Sequence, residues 1–296
     1  MTGPDAAALG WAAQLACLYE ATAEKPGNVS PAASFADASY ADFVASAVAV
    51  GPAFAEAGGA PVGRTVLRAV SDTRRLVTTN TNLGIVLLLA PLAKAAARAD
   101  DPPRLRRALS GVLDELTRAD ARDAYTAIRL AGPAGMGHVR EHDVAEAEPD
   151  LTLRQAMELA RDRDSVAREY CTAFEVTFSL GHPVLRESWA AGARLSDAVV
   201  SAFLRILAEV PDTLIERKHG RRAAEEVSRG AAAVLAAGGT GGEAGRASLR
   251  VFDAKLRDPS HPRNPGTTAD LVCAALFVFL VADGMVRRVP ELSARW

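Results

Sequence analysis

The sequence predicts an all-α protein, and two observations carry the prediction. Apolar residues recur at helical spacing along most of the chain, and no run of alternating apolar and polar residues bounded by turn signals marks a strand. Hydrophobic residues make up 49% of the 296 residues but aromatic residues only 5%, so a large core has to be filled by small aliphatic side chains. A core of this composition favours closely packed helices over a sheet sandwich.

Apolar spacing also places individual helices. Amphipathic patterns predict helices along Leu105–Leu116, Val199–Val210 and Leu214–Leu235, and one helix that starts near Leu153 and continues through Phe178. Two further stretches, Leu83–Leu92 and Leu271–Ala282, are apolar throughout. Both are too short to span a bilayer, so we expect buried core helices.

A single domain is expected to cover residues 1–296. No shift in composition marks a boundary, and no internal repeat is evident. Asp101–Pro103 is the best candidate for a linker, but the predicted helices on both sides of it are alike. The predicted architecture is one compact multi-helix bundle whose site is formed by loops at helix ends.

Charge and cysteine usage exclude several classes of protein. The formal net charge is -2 without a basic stripe, which argues against nucleic-acid binding. No basic region precedes an apolar stretch at the N-terminus, so no secretory signal is expected. The three cysteines are odd in number and far apart, as in a reducing compartment. We therefore expect a cytoplasmic protein that binds neither nucleic acid nor membrane, and a homodimer is left open.

Two polar loops stand directly before very apolar helices. Thr78–Gly84 and Asn264–Asp270 are rich in hydroxyl and amide side chains. The N-terminus of a helix offers free N–H groups and a positive dipole end, which suit a phosphate. For one such loop, helix capping alone, for instance by Asn82 or Thr268, is the better explanation. The occurrence of two makes binding and capping about equally good explanations.

Acidic and basic residues add a second set of candidates. Asp270 either stabilises a helix dipole or holds Mg²⁺, which prefers oxygen ligands. In Pro211–Gly220, Asp212 or Thr213 suits a helix cap, whereas the basic residues after Glu216 suit either a solvated face or a polyphosphate clamp. Arg161–Asp164 is interpreted as a solvated helix face on which Asp164 pairs with Arg168.

Other motifs are weak or missing. His138 and His142 have metal-ligand spacing, but the glycines before them predict a loop, which disfavours zinc. The chain has no Walker A loop, no dinucleotide-binding glycine motif after a strand and no nucleophile elbow. The common nucleotide folds and the serine hydrolases are therefore poor fits.

Four motifs in fixed order resemble the triphosphoribosyl-dephospho-CoA synthase family. They are Glu24–Val29, Thr79–Gly84, Asp212-Thr213 with Arg217 and Gly220, and Asn264–Leu271. The resemblance runs from about residue 20 to about residue 280. Within it, Thr79–Gly84, Ala134–Val139 and Asn264–Asp270 depart from the usual loops, which is typical of a divergent branch.

The resemblance implies an all-α transferase that displaces adenine from ATP. Such an enzyme joins the triphosphoribosyl unit to a hydroxyl acceptor such as 3′-dephospho-CoA and supplies a prosthetic-group precursor, with Mg²⁺ as cofactor. ATP and a small-molecule acceptor are thus the expected partners, and the acceptor is left open. The chemistry is substitution at the anomeric carbon through an oxocarbenium-like transition state.

Residue roles follow from the same resemblance. Asp212 and Asp270 are the predicted metal ligands. Asp164 or Asp270 is the predicted carboxylate for the ribosyl cation or the acceptor proton, and Asn80 or Asn82 the predicted partner of adenine. The predicted binding residues are Lys25, Gly27, Asn28, Asn80, Thr81, Asp212, Thr213, Arg217, Lys218, Asn264, Gly266, Thr267 and Thr268.

Two rival functions are kept. The first is a Mg²⁺-dependent ribosyl-bond hydrolase of ADP-ribosylglycohydrolase type, with water as acceptor. Such enzymes carry adjacent aspartates on metals, whereas the only such pair here is Asp100-Asp101, before two prolines. The second is a non-catalytic helical nucleotide-binding module. In that case the polar loops need not meet in space.

Overall fold

The structure is a computed structural model that describes residues 3–99, 101–133, 149–259 and 263–296. Within these ranges it is all-α, as predicted, and contains no β-strand. The helices are α1 (Ala6–Thr22), α2 (Tyr40–Ala55), α3 (Val62–Leu76), α4 (Leu83–Ala96), α5 (Pro102–Asp114), α6 (Arg118–Ala131), α7 (Leu153–Ala160), α8 (Ser165–Thr172), α9 (His182–Ala190), α10 (Leu195–Glu209), α11 (Thr213–His219), α12 (Arg221–Ala236), α13 (Gly242–Leu256), α14 (Gly266–Ala282) and α15 (Val289–Ala294). None of these helices has the length and hydropathy needed to cross a membrane.

The helix α14 forms the centre of the bundle. Every residue from Leu271 to Ala282 is buried, and α1, α4 and α10 pack around it. The helix α4 is almost as deeply buried, because all its residues except Gly84 and Lys94 are shielded from solvent. Both are the uniformly apolar helices expected from sequence. The small alanine side chains on α1 and α4 allow the axes of these two helices to lie close to the axis of α14.

The expected helix from Leu153 through Phe178 is broken into several pieces. The helix α7 ends at Ala160, and Asp164 starts α8 by accepting hydrogen bonds from the N–H groups of the first turn. After α8, Ala173 and Phe174 take left-handed conformations with φ of 48° and 58°, and a π-helical turn follows at Thr177–Gly181. The apolar row continues across these breaks, because the pieces pack on the same core.

The expected helix along Leu214–Leu235 is also two helices. Gly220 separates α11 from α12 and has φ of 84°, a conformation that glycine adopts without steric cost. The predicted end of this segment is correct, because Gly238 and Gly239 have positive φ and the Gly239 N–H donates to the Val234 carbonyl.

The Asp101–Pro103 segment is the start of α5 and not a linker. The Asp101 carboxylate accepts a hydrogen bond of 2.8 Å from the Arg104 N–H, and the two prolines occupy the first turn. The N-terminal N–H groups that proline lacks would have no helical partner in any case. His138, His142, Asp100 and the Ala134–Val139 loop lie outside the described residues.

Candidate functional site

The two polar loops line one cavity of about 710 Å³. Thr79–Gly84 forms one wall before α4, and Asn264–Asp270 forms another at the start of α14. The volume lies within the range of small-molecule sites. Eleven predicted site residues line it: Asn28, Asn80, Thr81, Asn82, Asp164, Arg217, Lys218, Asn264, Gly266, Thr267 and Asp270.

Five predicted site residues do not line the cavity, namely Lys25, Gly27, Asp212, Thr213 and Thr268. All five belong to the framework immediately behind it. Gly27 has φ of 72°, and its N–H donates to the Asp253 carboxylate at 2.8 Å, so it shapes the turn that carries Asn28. The Thr213 hydroxyl accepts from the Ser165 N–H and donates to the Thr267 hydroxyl, each at 3.3 Å.

Asp212 is a buried clamp between two helices. One carboxylate oxygen accepts from the N–H groups of Leu214 and Ile215 at the start of α11, at 2.9 and 3.0 Å. The other accepts from the N–H and hydroxyl of Thr268 in α14, at 2.7 and 2.8 Å. Burial raises the pKa of Asp212, and these hydrogen bonds oppose the rise. With four donors on two oxygens, Asp212 is not a suitable metal ligand in this conformation.

Lys25 is likewise occupied inside the protein. Its side chain is fully buried, and its ammonium group pairs with Glu20 Oε1 at 2.9 Å. The same group donates to the backbone carbonyls of Glu20 and Ala23. All three ammonium hydrogens thus have partners. Lys25 therefore neutralises Glu20, which lines the cavity, and has no donor left for a triphosphate.

The loop before α4 is held by its own polar side chains. Asn80 Oδ1 accepts from the Leu83 N–H at 3.1 Å, so Asn80 and not Asn82 caps the helix. Thr81 shares a hydrogen bond of 2.5 Å with the Ser46 hydroxyl. Asn82 donates from Nδ2 to the Thr73 hydroxyl at 3.1 Å and is buried at the cavity wall. This hydrogen bond fixes the Asn82 side chain at the cavity wall.

Asp270 lies in the first turn of α14 and faces this cavity. Among the described residues its carboxylate has no hydrogen-bond or ion-pair partner. Burial raises the pKa of Asp270 well above its usual range, and the negative charges of Glu20, Asp212 and Asp164 raise it further, while Arg217 acts in the opposite direction. A group with these properties is typical of functional sites.

Three cationic side chains line the mouth of the cavity. Arg217 in α11 donates to Asp164 Oδ2 at 2.8 Å, and Asp164 Oδ1 caps α8. Lys218 and Arg163 also line the cavity, and within the described part of the chain neither has an ion pair or side-chain hydrogen bond. Arg163 was missed because Arg161–Asp164 was interpreted as a solvated face. In the structure these residues form the turn between α7 and α8, and Asp164 pairs with Arg217 instead of Arg168.

Part of the cavity lining is apolar. We refer to these side chains as the apolar wall; they are Phe35, Phe43, Ile85, Leu87 and Met157. The aromatic residues come from the segment between α1 and α2 and from α2 itself, where no polar motif drew attention to them. A flat heterocyclic base suits such a wall, because it buries apolar area without a need for polar partners.

A magnesium ion fits the oxygen atoms of this cavity only in part. Asn264 Oδ1 is buried without a hydrogen-bond partner, and the Asp270 carboxylate is unpartnered among the described residues. No group of three or more His, Cys, Asp or Glu side chains suited to a metal occurs in the described ranges. Mg²⁺ is commonly held by one or two protein ligands together with substrate phosphates and water. Asp270 and Asn264 fit that pattern.

The fold and cavity define an all-α protein with a nucleotide-sized polar site, and sequence comparison identifies its family. Residues 6–288 match the CitG family model, described as ATP:dephospho-CoA triphosphoribosyl transferase. The chain belongs to this family of transferases. The match covers nearly the whole chain and confirms the resemblance inferred from the four motifs.

Individual relatives agree with the family assignment. A 2-(5″-triphosphoribosyl)-3′-dephosphocoenzyme-A synthase of Klebsiella pneumoniae is 37% identical over 103 residues, 35% of this chain and 36% of that protein. A protein of Pseudomonas fluorescens assigned the same name is 29% identical over 81% of this chain and 78% of its own length. The crystal structure of a protein from Archaeoglobus fulgidus, assigned as a triphosphoribosyl-dephospho-CoA synthase, aligns with a TM-score of 0.64 and 28% identity, over 81% of this chain and 98% of that one.

Proposed function

We propose that the protein transfers the triphosphoribosyl group of ATP to a hydroxyl acceptor such as 3′-dephospho-CoA, with release of adenine. The observation that supports this most directly is the carboxylate of Asp270, which has no partner among the described residues, in a cavity that has cations at its mouth and an apolar wall inside. Family membership supplies the class of reaction. The residues supply the places for base, ribose and triphosphate.

The triphosphate belongs at the mouth of the cavity. Arg163 and Lys218 offer positive charge there that no described residue pairs, and Arg217 adds a guanidinium that Asp164 holds in place. Charge-assisted hydrogen bonds to phosphate are stronger than neutral ones, and a guanidinium binds phosphate oxygens in pairs. Mg²⁺, held by Asp270 and Asn264 Oδ1, would neutralise further phosphate charge.

Adenine belongs against the apolar wall formed by Phe35, Phe43 and Ile85. Asn82 lines the same cavity, and Thr73 fixes its side chain, so Asn82 is the proposed hydrogen-bond partner of the base as it leaves. This arrangement stabilises the leaving group without a charged acid. In this proposal the anomeric carbon lies between the apolar wall and the carboxylates of Asp164 and Asp270.

The proposed reaction is a substitution at C1′ of the ribose, in which one bond breaks and one forms. The bond from C1′ to adenine N9 breaks as the acceptor oxygen forms its bond to C1′. The acceptor hydroxyl loses its proton to a carboxylate, and the leaving adenine takes one up. Asp164 suits the first task, because within the described ranges Oδ2 accepts one hydrogen bond, from Arg217, and retains lone-pair capacity. Asp164 and Asp270 together provide negative charge near the ribosyl cation.

The deciding experiment follows adenine release. The protein is incubated with ATP and Mg²⁺, with and without 3′-dephospho-CoA, and free adenine and the coupled product are quantified. Acceptor-dependent adenine release with formation of product is the expected result. Adenine release at the same rate without any acceptor would identify a hydrolase. Binding of ATP without release of adenine under every condition would identify a non-catalytic nucleotide-binding module.

A further inference from the structure

A second groove of about 640 Å³ lies at the other end of the bundle. It is lined by residues of α5, of the segment between α8 and α9, and of the first turns of α9, among them Pro102, Arg106, Arg107, Phe178, His182 and Arg186. The helix α14 relates the two sites, because Asp270 near its N-terminus faces the first cavity, whereas Asp283 just past its C-terminus contacts His182 of the groove. The length of α14 separates these two contacts by about 20 Å.

The groove is strongly cationic. Three arginines line it, and none of its described lining residues is acidic, although the chain as a whole carries a net charge of -2. At the first cavity, Lys25 neutralises Glu20 and Arg217 pairs with Asp164, and the carboxylates of Asp37 and Asp270 oppose the charges of Arg163 and Lys218. An anion without a metal is therefore attracted more strongly to the groove than to the cavity.

Two of the three guanidinium groups are available to a ligand. Arg106 is used within the protein, where it donates to the Ala173 and Thr172 carbonyls at 3.0 and 3.4 Å and lies 5.7 Å from the centre of the Phe178 ring. In the described part of the chain, Arg107 and Arg186 have no ion pair and no side-chain hydrogen bond. They come from two different helices, α5 and α9, so a ligand between them would be held from both sides.

The wall between them is an unusual piece of backbone. Ala173 and Phe174 both adopt the left-handed backbone conformation, which is uncommon for residues other than glycine. A π-helical turn follows them. The buried carboxylate of Glu169 maintains this conformation by accepting hydrogen bonds from the N–H groups of Val176 and Thr177, each at 2.9 Å. Strained residues and π-helical turns both occur preferentially at functional sites. Here they place Phe178 and His182 on the groove surface.

His182 is fixed at the base of the groove. Its Nε2 lies 2.6 Å from Asp283 Oδ2, and the ring is buried. The pair of His182 and Asp283 connects the start of α9 to the end of α14. Arg186, one turn further along α9, is thereby held in position. The apolar floor of Phe178 and the prolines suits an uncharged or aromatic part of a ligand, while the guanidinium groups suit its anionic part.

We propose that this groove is a second binding site of the protein, for a small phosphate-bearing ligand held between Arg107 and Arg186. The concave volume fits a small molecule. Phosphate groups match two guanidinium groups because each presents several acceptor oxygens and more than one negative charge. The proposal does not depend on the reaction catalysed at the first cavity.

Hydrogen–deuterium exchange of the full chain locates the binding. Inorganic pyrophosphate without metal is the first probe, and ATP without metal is the second. With either probe, the wild type is expected to gain protection in peptides that cover residues 102–110 and 172–186. Equal protection by the two probes identifies the phosphates as the recognised group, whereas stronger protection by ATP shows that the floor also binds the base. Protection confined to residues 79–84 and 264–270 would overturn the proposal.

Matched variants test the two arginines. Arg107→Gln and Arg186→Gln are each expected to weaken pyrophosphate binding to the groove roughly tenfold, because each removes one charged hydrogen-bonding group. Arg250→Gln removes an equally exposed arginine from α13 and should leave the protection unchanged. Arg163→Gln, at the first cavity, should leave it unchanged as well. The proposed site would be refuted if the Arg107→Gln/Arg186→Gln double variant kept the full protection. It would also be refuted if Arg250→Gln lost as much protection as the groove variants.

Discussion

The Asp270 carboxylate lies directly against the α-carbon of Gly84. A Cβ atom at position 84 would stand 2.1 Å from Asp270 Oδ2. The start of α4 and the start of α14 therefore meet at this point, and the absence of a side chain at Gly84 is what allows the carboxylate to face the cavity.

Replacement of Gly84 by Ala tests this relationship. We expect Gly84→Ala to displace the Asp270 carboxylate, to destabilise the fold by about 1–3 kcal/mol and to abolish Mg²⁺-dependent ATP binding. Gly111→Ala is the control, because Gly111 lies in α5 with no atom near its would-be Cβ. That change should raise stability by up to about 1 kcal/mol. Thermal melts and calorimetric ATP titration measure both effects, and unchanged ATP binding by Gly84→Ala would contradict the geometry.

Lys25 is expected to contribute to stability and not to ATP binding. Lys25→Met leaves the buried Glu20 carboxylate without its partner, which should cost about 3–5 kcal/mol in the free energy of unfolding. The double variant Glu20→Gln/Lys25→Met removes the unpaired charge and should recover part of this loss. Chemical denaturation measures all three proteins. If Lys25→Met kept wild-type stability but bound ATP more weakly, Lys25 would be a triphosphate ligand after all.

Asp212 is expected to act as a clamp. Asp212→Ala leaves four buried donors on α11 and α14 without their acceptor and should lower the free energy of unfolding by at least about 3 kcal/mol. Asp101→Ala, which removes a single exposed helix cap, should cost only about 1 kcal/mol. Urea denaturation of both variants makes the comparison. A stable Asp212→Ala protein that had lost its metal dependence would restore Asp212 as a ligand.

Arg163 and Lys218 are expected to bind the triphosphate. Arg163→Gln and Lys218→Gln should each raise the KM for ATP roughly tenfold with little change in kcat, because the lost interaction is made equally in the ground state and the transition state. The effect should diminish at high salt. Steady-state kinetics with Arg250→Gln as control test this. An unchanged KM in both cavity variants would remove these residues from the proposed site.

Sequence patterns were sufficient to predict those helices whose formation depends on residues within the same segment. The apolar runs of α4 and α14, the amphipathic α5 and α10 and the glycine end of α12 each depend on residues within the segment itself. The two polar loops were identified because hydroxyl and amide side chains are conspicuous before apolar helices. Their convergence at one cavity follows from the packing of α4 against α14, which the sequence alone could only suggest.

Features set by distant contacts could not be predicted. Helical spacing continues through Phe178, yet the chain breaks there because Glu169 binds the backbone of Thr177 and Arg106 binds the carbonyl of Ala173. A basic side chain in a charged run, such as Arg163, has no mark that distinguishes a cavity wall from open solvent. The burial of Lys25 likewise depends on its pairing with Glu20, five residues earlier, across a turn.

The pH dependence of stability offers a test of Asp270 without any ligand. The folded-state pKa of Asp270 lies above its unfolded value, so the folded protein holds the proton more tightly. The contribution of Asp270 to stability is then fully present below the unfolded pKa of about 4 and is lost as pH rises through the raised folded pKa. Asp270→Asn should flatten this decline and melt at a higher temperature than the wild type at about pH 8. Thermal melts of both proteins between about pH 5 and about pH 8 measure it.

The same variant separates a metal ligand from a helix-dipole partner. If Asp270 only favoured the dipole of α14, Asp270→Asn should cost roughly 0.5–1 kcal/mol and respond to ATP and Mg²⁺ as the wild type does. If Asp270 is a metal ligand, we expect the opposite: Asp270→Asn should be at least as stable as the wild type without ligand and should lose the response to Mg²⁺. The reason is that Glu20 and Asp164 repel the wild-type carboxylate until a cation binds. We therefore expect Mg²⁺ to increase the ATP-induced rise in melting temperature in the wild type only, whereas ATP with EDTA, which is left to the groove, should shift both proteins equally. Equal shifts of the two proteins with ATP and Mg²⁺ would show that Asp270 does not hold the metal.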